Sequence, residues 1–427
     1  MNGLRVGSWK QRGRADQSFV YDDSWLTAPD ARPLSLSLPL APSNQAITGP
    51  VVSSFFDNLL PDNTEIRRRI QRRFACASDS PFDLLSEIGR DCVGALQLLP
   101  EGSAPPSIRR IDAESLDNSR IAKLLRSVTT EGFPGTGSEG DFRISIAGAQ
   151  EKTALLFHDG RWRMPLGATP TTHIFKLPMG RIGAMRADMT QSIENEWLCL
   201  KLLAAVGMDT AKAEIAAFED QRVLVVERFD RRLSSDGGWI MRIPQEDLCQ
   251  ATGTPPFRKY ENEGGPGITD LMRLLLASRE SANDRKKFLK AQILFWLLAA
   301  PDGHAKNFSI FVERQGRFSL TPLYDVMSAY PVLGHGKEKI SPENLKMAMA
   351  VTGENRHYEW SKIQKRHWLT TAEKCGAALP AKDAIAEILE RLPSAIREVS
   401  ASLPDNFPDS IATPVFKGVL TAAERLA

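Results

Sequence analysis

Residues 295–311 read FWLLAAPDGHAKNFSIF, and the change of texture inside this stretch governs how the rest of the chain is read. The apolar run ending at Ala300 has the make-up of a buried helix. Pro301 stops it, because proline lacks the amide hydrogen that a helix interior needs. The polar turn DGHAKN follows, and then a second apolar run. Asp302 and Asn307 stand five residues apart, and a further carboxylate, Asp325 in LTPLYDVMSAY, comes 18 residues after Asn307. Carboxylate and amide oxygens are hard donors, the kind of shell Mg²⁺ takes beside phosphate. Each residue alone has a plainer reading, with Asp302 as an Asx-turn residue after a helix and Asn307 as the cap of a strand.

Working back from this turn, other parts fall in a definite order. AGAQEK (residues 147–152) places small residues and a glycine between two strand-like runs. Such a turn can aim successive N–H groups at phosphate oxygens, although an ordinary β-turn has the same composition. Lys176 in HIFKLP is bracketed by Phe175 and Leu177, so a strand would put its side chain on the face opposite to both. The plain alternative is a surface lysine on an edge strand. VVERFDR (residues 225–231) closes the strand-rich half, with Phe229 facing either core or ligand. A phosphate turn, a strand lysine, an Asp-x4-Asn loop and a late Asp recur in the order of protein kinases. There the first Asp takes the substrate hydroxyl proton, while the Asn and the late Asp hold Mg²⁺. Tyr324 and Val326 flank Asp325, so it resembles the DFG aspartate in role only. The carboxylate expected to partner Lys176 is Glu194 or Glu196 on the following helix, and the sequence does not choose between them. GTGSEG (residues 135–140) matches G-x-G-x-x-G but lacks the strand before and the helix after it, so it reads as a linker.

The coarse layout is α+β and bilobal. A mixed α/β module spans residues 1–135, a strand-rich lobe 136–240, and a helical lobe 241–427. In the first module Leu34, Leu36, Leu38 and Leu40 alternate with smaller residues, a period-2 pattern that predicts a strand. Val93–Leu99 is a second strand candidate, and an arginine-rich helix carries Arg67 to Arg73. Glu194–Gly207 is the one helix of the strand-rich lobe. Beyond residue 245 helices are expected at Leu271–Ala277, Phe288–Ala300, Leu345–Ala350, Trp368–Ala378 and Ile385–Leu392. The 427 residues carry a net charge of +2, with 42% hydrophobic and 25% charged residues. That excludes a disordered or collagen-like chain and a global basic field for nucleic acid. Five scattered cysteines and no CxxC speak against a disulfide framework or structural zinc. MNGLRVGSWKQRGR holds no apolar signal-peptide core, and the longest apolar run, Ala291–Ala300, is half the ~20 residues of a membrane span. A cytoplasmic protein is expected.

Taken together, RPLSLSLPL (32–40), FFDNLLPD (55–62), PFDLLSEIGRD (81–91), AGAQEKTALL (147–156), VERFDRR (226–232) and DGHAKNFS (302–309) resemble the HipA family. These are serine/threonine kinase toxins of bacterial HipA–HipB toxin–antitoxin systems. The resemblance implies a protein-kinase-like fold with a strand-rich N-terminal lobe and an all-helical C-terminal lobe, and non-specific serine/threonine protein kinase activity using ATP and Mg²⁺. It makes Asp302 the catalytic base, puts Asn307 and Asp325 on Mg²⁺, and sets Lys176 on the nucleotide phosphates. Ala147, Gly148, Ala149, Gln150, Glu151 and Lys152 would form the ATP-phosphate loop, and Glu227, Arg228 and Phe229 the adenine hinge. His304, Ala305, Lys306, Asn307 and Tyr324 would complete the nucleotide site. Ser145 stands at the position the family autophosphorylates, where a phosphate adds roughly −2 of charge beside that loop.

The implied partners are a HipB-like DNA-binding antitoxin, operator DNA reached mainly through it, and glutamyl-tRNA synthetase as the protein substrate, with growth arrest and persistence as the outcome. Pro301 departs from the threonine that the family pattern leads us to expect. Gly353–Arg366 differs more than the core, while Arg356, Lys362, Lys365 and Arg366 keep it basic, as a DNA contact or a solvated face. The competing class is a kinase-shaped corepressor that binds its antitoxin without catalysis. The presence of Asp302, Asn307, Asp325 and Lys176 together favours the enzyme.

Overall fold

The computed structural model describes residues 1–13, 16–103, 107–129, 147–148, 150–182, 187–336, 338–376 and 381–427. Ser145, Ala149 and the GTGSEG segment lie outside the described residues. The chain forms two compact units, one of Met1–Leu177, Ala216–Phe257 and Ile310–Arg317, the other of Pro178–Ile215, Arg258–Ser309 and Phe318–Ala427.

The first unit begins with an antiparallel sheet of β1 (Gly7–Arg12), β2 (Asp16–Tyr21) and β3 (Ile47–Thr48). Phe19, Tyr21, Trp25, Phe56, Leu60 and Leu84 form its core, and Trp9 stacks on Phe56 with centroids 3.8 Å apart. The alternating leucines at 34–40 do not form the expected strand. Only a bridge joins Ser35 and Leu38, because the segment wraps around a phenol. The Tyr21 hydroxyl accepts from the Leu34 N–H at 2.7 Å and donates to the Leu38 carbonyl at 2.5 Å. Residues 93–99 are not a strand either. Gly94 turns there with φ 72°, and its N–H donates to Asp230 Oδ2 at 2.7 Å. The arginine-rich helix is present as Thr64–Phe74, capped by the Asn63 side chain on the N–H groups of Glu65 and Ile66.

The second sheet contains β4 (Ala113–Ser115), β5 (Lys152–His158), β6 (Arg161–Pro165) and β7 (His173–Lys176). With the strands Ala213–Phe218 and Gln221–Glu227, its order is Ala213–Phe218, Gln221–Glu227, β7, β5, β6, β4. Phe175, Leu177, Leu155, Val223 and Val225 pack on one face beneath the helix Asn118–Thr129. A buried ion network ties Asp91 to Arg228 and to the strand pair Arg231–Leu233 and Ile240–Arg242. Arg231 and Arg242 reach Asp91 at 2.9 and 3.1 Å, and Arg228 reaches Asp91 at 3.3 Å and Asp230 at 2.9 Å. The Thr171 hydroxyl adds a 2.7 Å hydrogen bond to Asp91. Burial alone would raise the Asp91 carboxyl, but the guanidiniums of Arg231, Arg228 and Arg242 outweigh it and hold it well below the usual carboxylate range.

In the second unit the helices Ser192–Ala205, Ser281–Leu297, Ala381–Ala401 and Asp409–Glu424 pack together. The C-terminal half of the chain is not all-helical as expected. Residues 309–312, 318–320, 346–352 and 356–359 are strands, and Leu345–Ala350, predicted as helix, falls almost wholly in the strand Lys346–Thr352. Its Met and Ala residues favour a helix locally, yet tertiary bonds override that preference. The Ala348 N–H donates to the Pro301 carbonyl at 2.9 Å, and the Ala350 N–H to Glu261 at 2.6 Å. Among the described residues no helix is long and apolar enough to cross a membrane.

Candidate functional site

The DGHAKN turn is built by the helix before it. The residues of Ser281–Leu297 are almost all buried from Phe288 onward, and Ala299 then takes a left-handed φ of 47° that swings the chain into the turn. Gly303 is required, since a Cβ there would stand 2.5 Å from the Phe295 ring. The Asp302 carbonyl accepts from the His304 N–H at 2.8 Å and from the Asn307 side-chain amide at 2.6 Å. The Asn307 N–H in turn donates to the His304 carbonyl at 2.9 Å. This cross-bracing buries His304, Ala305, Lys306 and Asn307 and leaves the Asp302 carboxylate 52% exposed. Oδ1 of that carboxylate accepts a hydrogen bond from the Tyr260 hydroxyl, and His304 Nε2 lies 3.6 Å from it. The Tyr260 ring stands edge-on to His304 with centroids 5.0 Å apart.

Around Asp325 the backbone is strained, with φ 58° at a non-glycine residue, a conformation that persists only where its surroundings enforce it. The preceding Tyr324 is held by its hydroxyl to Ser309 at 2.6 Å and to the Lys306 carbonyl at 3.0 Å. Three residues beyond Asp325, Asn195 clamps Ser328, donating to its carbonyl at 2.7 Å and accepting from its N–H at 2.8 Å. Asn195 sits between Glu194 and Glu196 on the helix Ser192–Ala205, and all three are buried. Neither Tyr260 nor Asn195 is marked by any local motif.

The first unit holds the lysines and the glycine turn. In the antiparallel register Lys176 of β7 faces Lys152 of β5 on one side and Leu224 on the other. Cross-strand partners share a face, so both lysines project away from the core that Phe175 and Leu177 enter. Lys152 Nζ donates back to the Ala147 carbonyl, closing the turn on itself. Gly148 has φ 110°, and a Cβ there would stand 2.5 Å from Lys152 Nζ. The Gln150 side chain donates to the Leu177 carbonyl at 2.5 Å, and the Leu177 N–H donates to the Glu151 carbonyl at 3.1 Å. Glu227 lies opposite His173 in the sheet. Arg228 has its N–H on the Thr172 carbonyl at 2.9 Å and its guanidinium in the buried ion network, and Phe229 meets Phe311 edge-on at 5.9 Å.

Among the described residues no three carboxylate, imidazole or thiolate groups gather into a cation cage. The Asn307 side-chain nitrogen is committed to the Asp302 carbonyl, so its amide oxygen is the atom it could offer to a cation. An amide oxygen is a hard donor of the kind Mg²⁺ accepts, and Mg²⁺ commonly binds through one or two protein oxygens with water and phosphate completing its shell.

An aspartate loop braced by asparagine, a lysine-bearing sheet and a glycine turn define a kinase-like class of fold. The structure matches that of HipA from Shewanella oneidensis MR-1, solved with HipB and operator DNA, at a TM-score of 0.79 and 24% identity, over 99% of this chain and 95% of that one. Residues 144–399 match the HipA-like C-terminal domain and residues 1–99 the HipA N-terminal domain. The chain belongs to the HipA family. It is 35% identical over 418 residues to a putative kinase, Y4mE, of Sinorhizobium fredii strain NGR234, covering 96% of this chain and 93% of the relative. It is 27% identical over 427 residues to the serine/threonine-protein kinase toxin HipA of Shewanella oneidensis, covering 95% of this chain and 89% of the relative.

Proposed function

We propose that this chain is an ATP- and Mg²⁺-dependent serine/threonine kinase that acts as the toxin of a HipA–HipB pair. The observation that carries the reading is the Asp302 loop, in which the backbone carbonyl is fixed by Asn307 while the carboxylate stays accessible. In this role Asp302 accepts the proton of the substrate hydroxyl as its oxygen attacks the γ-phosphorus, and ADP leaves. Asn307 and Asp325 would hold Mg²⁺, which neutralises charge on the phosphates. Lys176 and the N–H groups of residues 147–152 bind those phosphates. Adenine contacts fall to the backbone of the Glu227–Phe229 hinge. The two-lobed division at about residue 240, with a module before residue 136, belongs to the same reading.

The family resemblance supports glutamyl-tRNA synthetase as the protein substrate and Ser145 as the autophosphorylated residue, with growth arrest and persistence as the consequence in the cytoplasm. A HipB-like antitoxin would carry the chain to operator DNA, as HipA of Shewanella oneidensis is found in complex with HipB and DNA. The net charge of +2 fits a chain whose own DNA contacts are few and local. Mass spectrometry after incubation with ATP and Mg²⁺ tests the reading. Phosphate on Ser145 is expected in the wild type and absent in Asp302→Gln. Dephosphorylated wild type that transfers nothing to itself or to the synthetase overturns it.

A further inference from the structure

The glycine turn, described at residues 147–148 and 150–152, does not stand alone on its sheet. It is gripped from outside by the end of FFDNLLPD (55–62) and by the arginine-rich helix that follows, both within the first hundred residues. Pro61 and Gly148 form a parallel bridge, and the Asp62 N–H donates to the Gly148 carbonyl at 3.1 Å. In the second turn of the helix, the Arg69 guanidinium pairs with the Glu151 carboxylate, both side chains about a quarter exposed. The gripping segment is itself rigid. Arg67 donates to the Pro61 carbonyl at 2.6 Å and pairs with Asp57 at 2.7 Å, while Leu59 and Leu60 are buried in the N-terminal core. Glu151 is thus held twice, by Arg69 through its carboxylate and by the Leu177 N–H through its carbonyl.

A glycine turn has many accessible conformations, and lining up its N–H groups for an anion costs conformational entropy at each binding event. A clamp in place before the ligand arrives removes part of that cost. We infer that the N-terminal module is the clamp that pre-sets the phosphate turn, with Arg69 acting through Glu151 as a positioning residue for the nucleotide. This rests on the kinase reading for the identity of the ligand, and on the contacts above for the clamp itself. The arginine-rich helix then has a role beyond a solvated basic face, since Arg67 braces the gripping segment and Arg69 holds the turn. Arg68, by contrast, pairs within the helix, with Glu65 at 2.9 Å, and its side chain is exposed.

Full-length Arg69→Ala is compared with wild type, with Arg68→Ala as the control on the same helix and Arg69→Lys as the conservative variant. Amide deuterium exchange without nucleotide should quicken over residues 147–156 in Arg69→Ala, stay at wild-type rates in Arg68→Ala, and be partly restored in Arg69→Lys. ATP affinity by calorimetry and the KM for ATP should weaken in Arg69→Ala by about five- to tenfold, with kcat at saturating ATP nearly unchanged. Unchanged exchange over residues 147–156 overturns the clamp. Faster exchange with unchanged ATP affinity overturns the positioning role. A wild type that binds no ATP overturns the kinase reading instead, and the exchange measurement then decides the clamp by itself.

Discussion

The Tyr260 hydroxyl donates a hydrogen bond to Oδ1 of Asp302, joining residues 42 positions apart at the centre of the candidate catalytic loop. His304 Nε2 lies on the same oxygen's side at 3.6 Å. Both contacts fall on Oδ1, so in the proposed role Oδ2 would be the oxygen that takes the substrate proton.

A half-exposed carboxylate on a turn samples several rotamers, and the phenol holds it to one. Tyr260→Phe keeps the ring against His304 and removes the hydroxyl that bonds Asp302. The expected result is a fall in kcat of roughly tenfold with KM for ATP unchanged, the signature of a misplaced catalytic group. Initial rates of phosphoryl transfer at varied ATP decide it. A rate that rises in the variant would show that the hydroxyl obstructs the base rather than orienting it.

The Asp91 carboxylate faces Arg228, Arg231 and Arg242 in the interior, so Asp91→Asn leaves three guanidiniums against one remaining carboxylate, Asp230. Removing one partner from a buried ionic cluster destabilises by about 3–5 kcal/mol. Urea unfolding should show that loss as a lower midpoint at an unchanged slope. The pH dependence has a definite sign. Asp91 is held below its ordinary value of 3.8, so its contribution is present above pH 3.8 and fades as pH falls through the lower folded value. The gap between wild type and variant should therefore narrow in acid. A gap that is constant from pH 6 down to pH 3 contradicts this.

Local chemistry made part of this molecule legible and left the rest hidden. Pro301 ending a buried helix and the DGHAKN turn are short-range features, and so is the Phe175–Lys176–Leu177 alternation that sets a strand's two faces. The leucine alternation at 34–40 misled because the tyrosine it wraps lies at position 21, outside any local window. Leu345–Ala350 misled because its helical propensity is overruled by the Pro301 carbonyl, almost fifty residues away. Tyr260, Asn195 and Arg69 stayed invisible for the same reason: each acts on a partner brought near only by folding.

Glu246 offers the sharpest test of burial against charge. It is fully buried, and its Oε1 accepts the Leu36 N–H at 2.9 Å. Burial pushes its carboxyl up from 4.5 to about 8, with the nearby Asp247 charge adding in the same direction. The folded chain therefore keeps this proton across a range in which the unfolded chain has lost it. Its contribution to stability is fully present below pH 4.5 and is lost as pH rises through about 8, at up to ~1.4 kcal/mol per pH unit. Glu246→Gln keeps an acceptor for Leu36 and cannot ionise. The variant should match wild type near pH 5 within the loss of one neutral hydrogen-bond geometry, and exceed it at pH 8. Urea midpoints at pH 5, 7 and 8.5 measure the divergence. Parallel pH profiles for the two proteins would mean that the carboxylate is accommodated inside by partners other than Leu36.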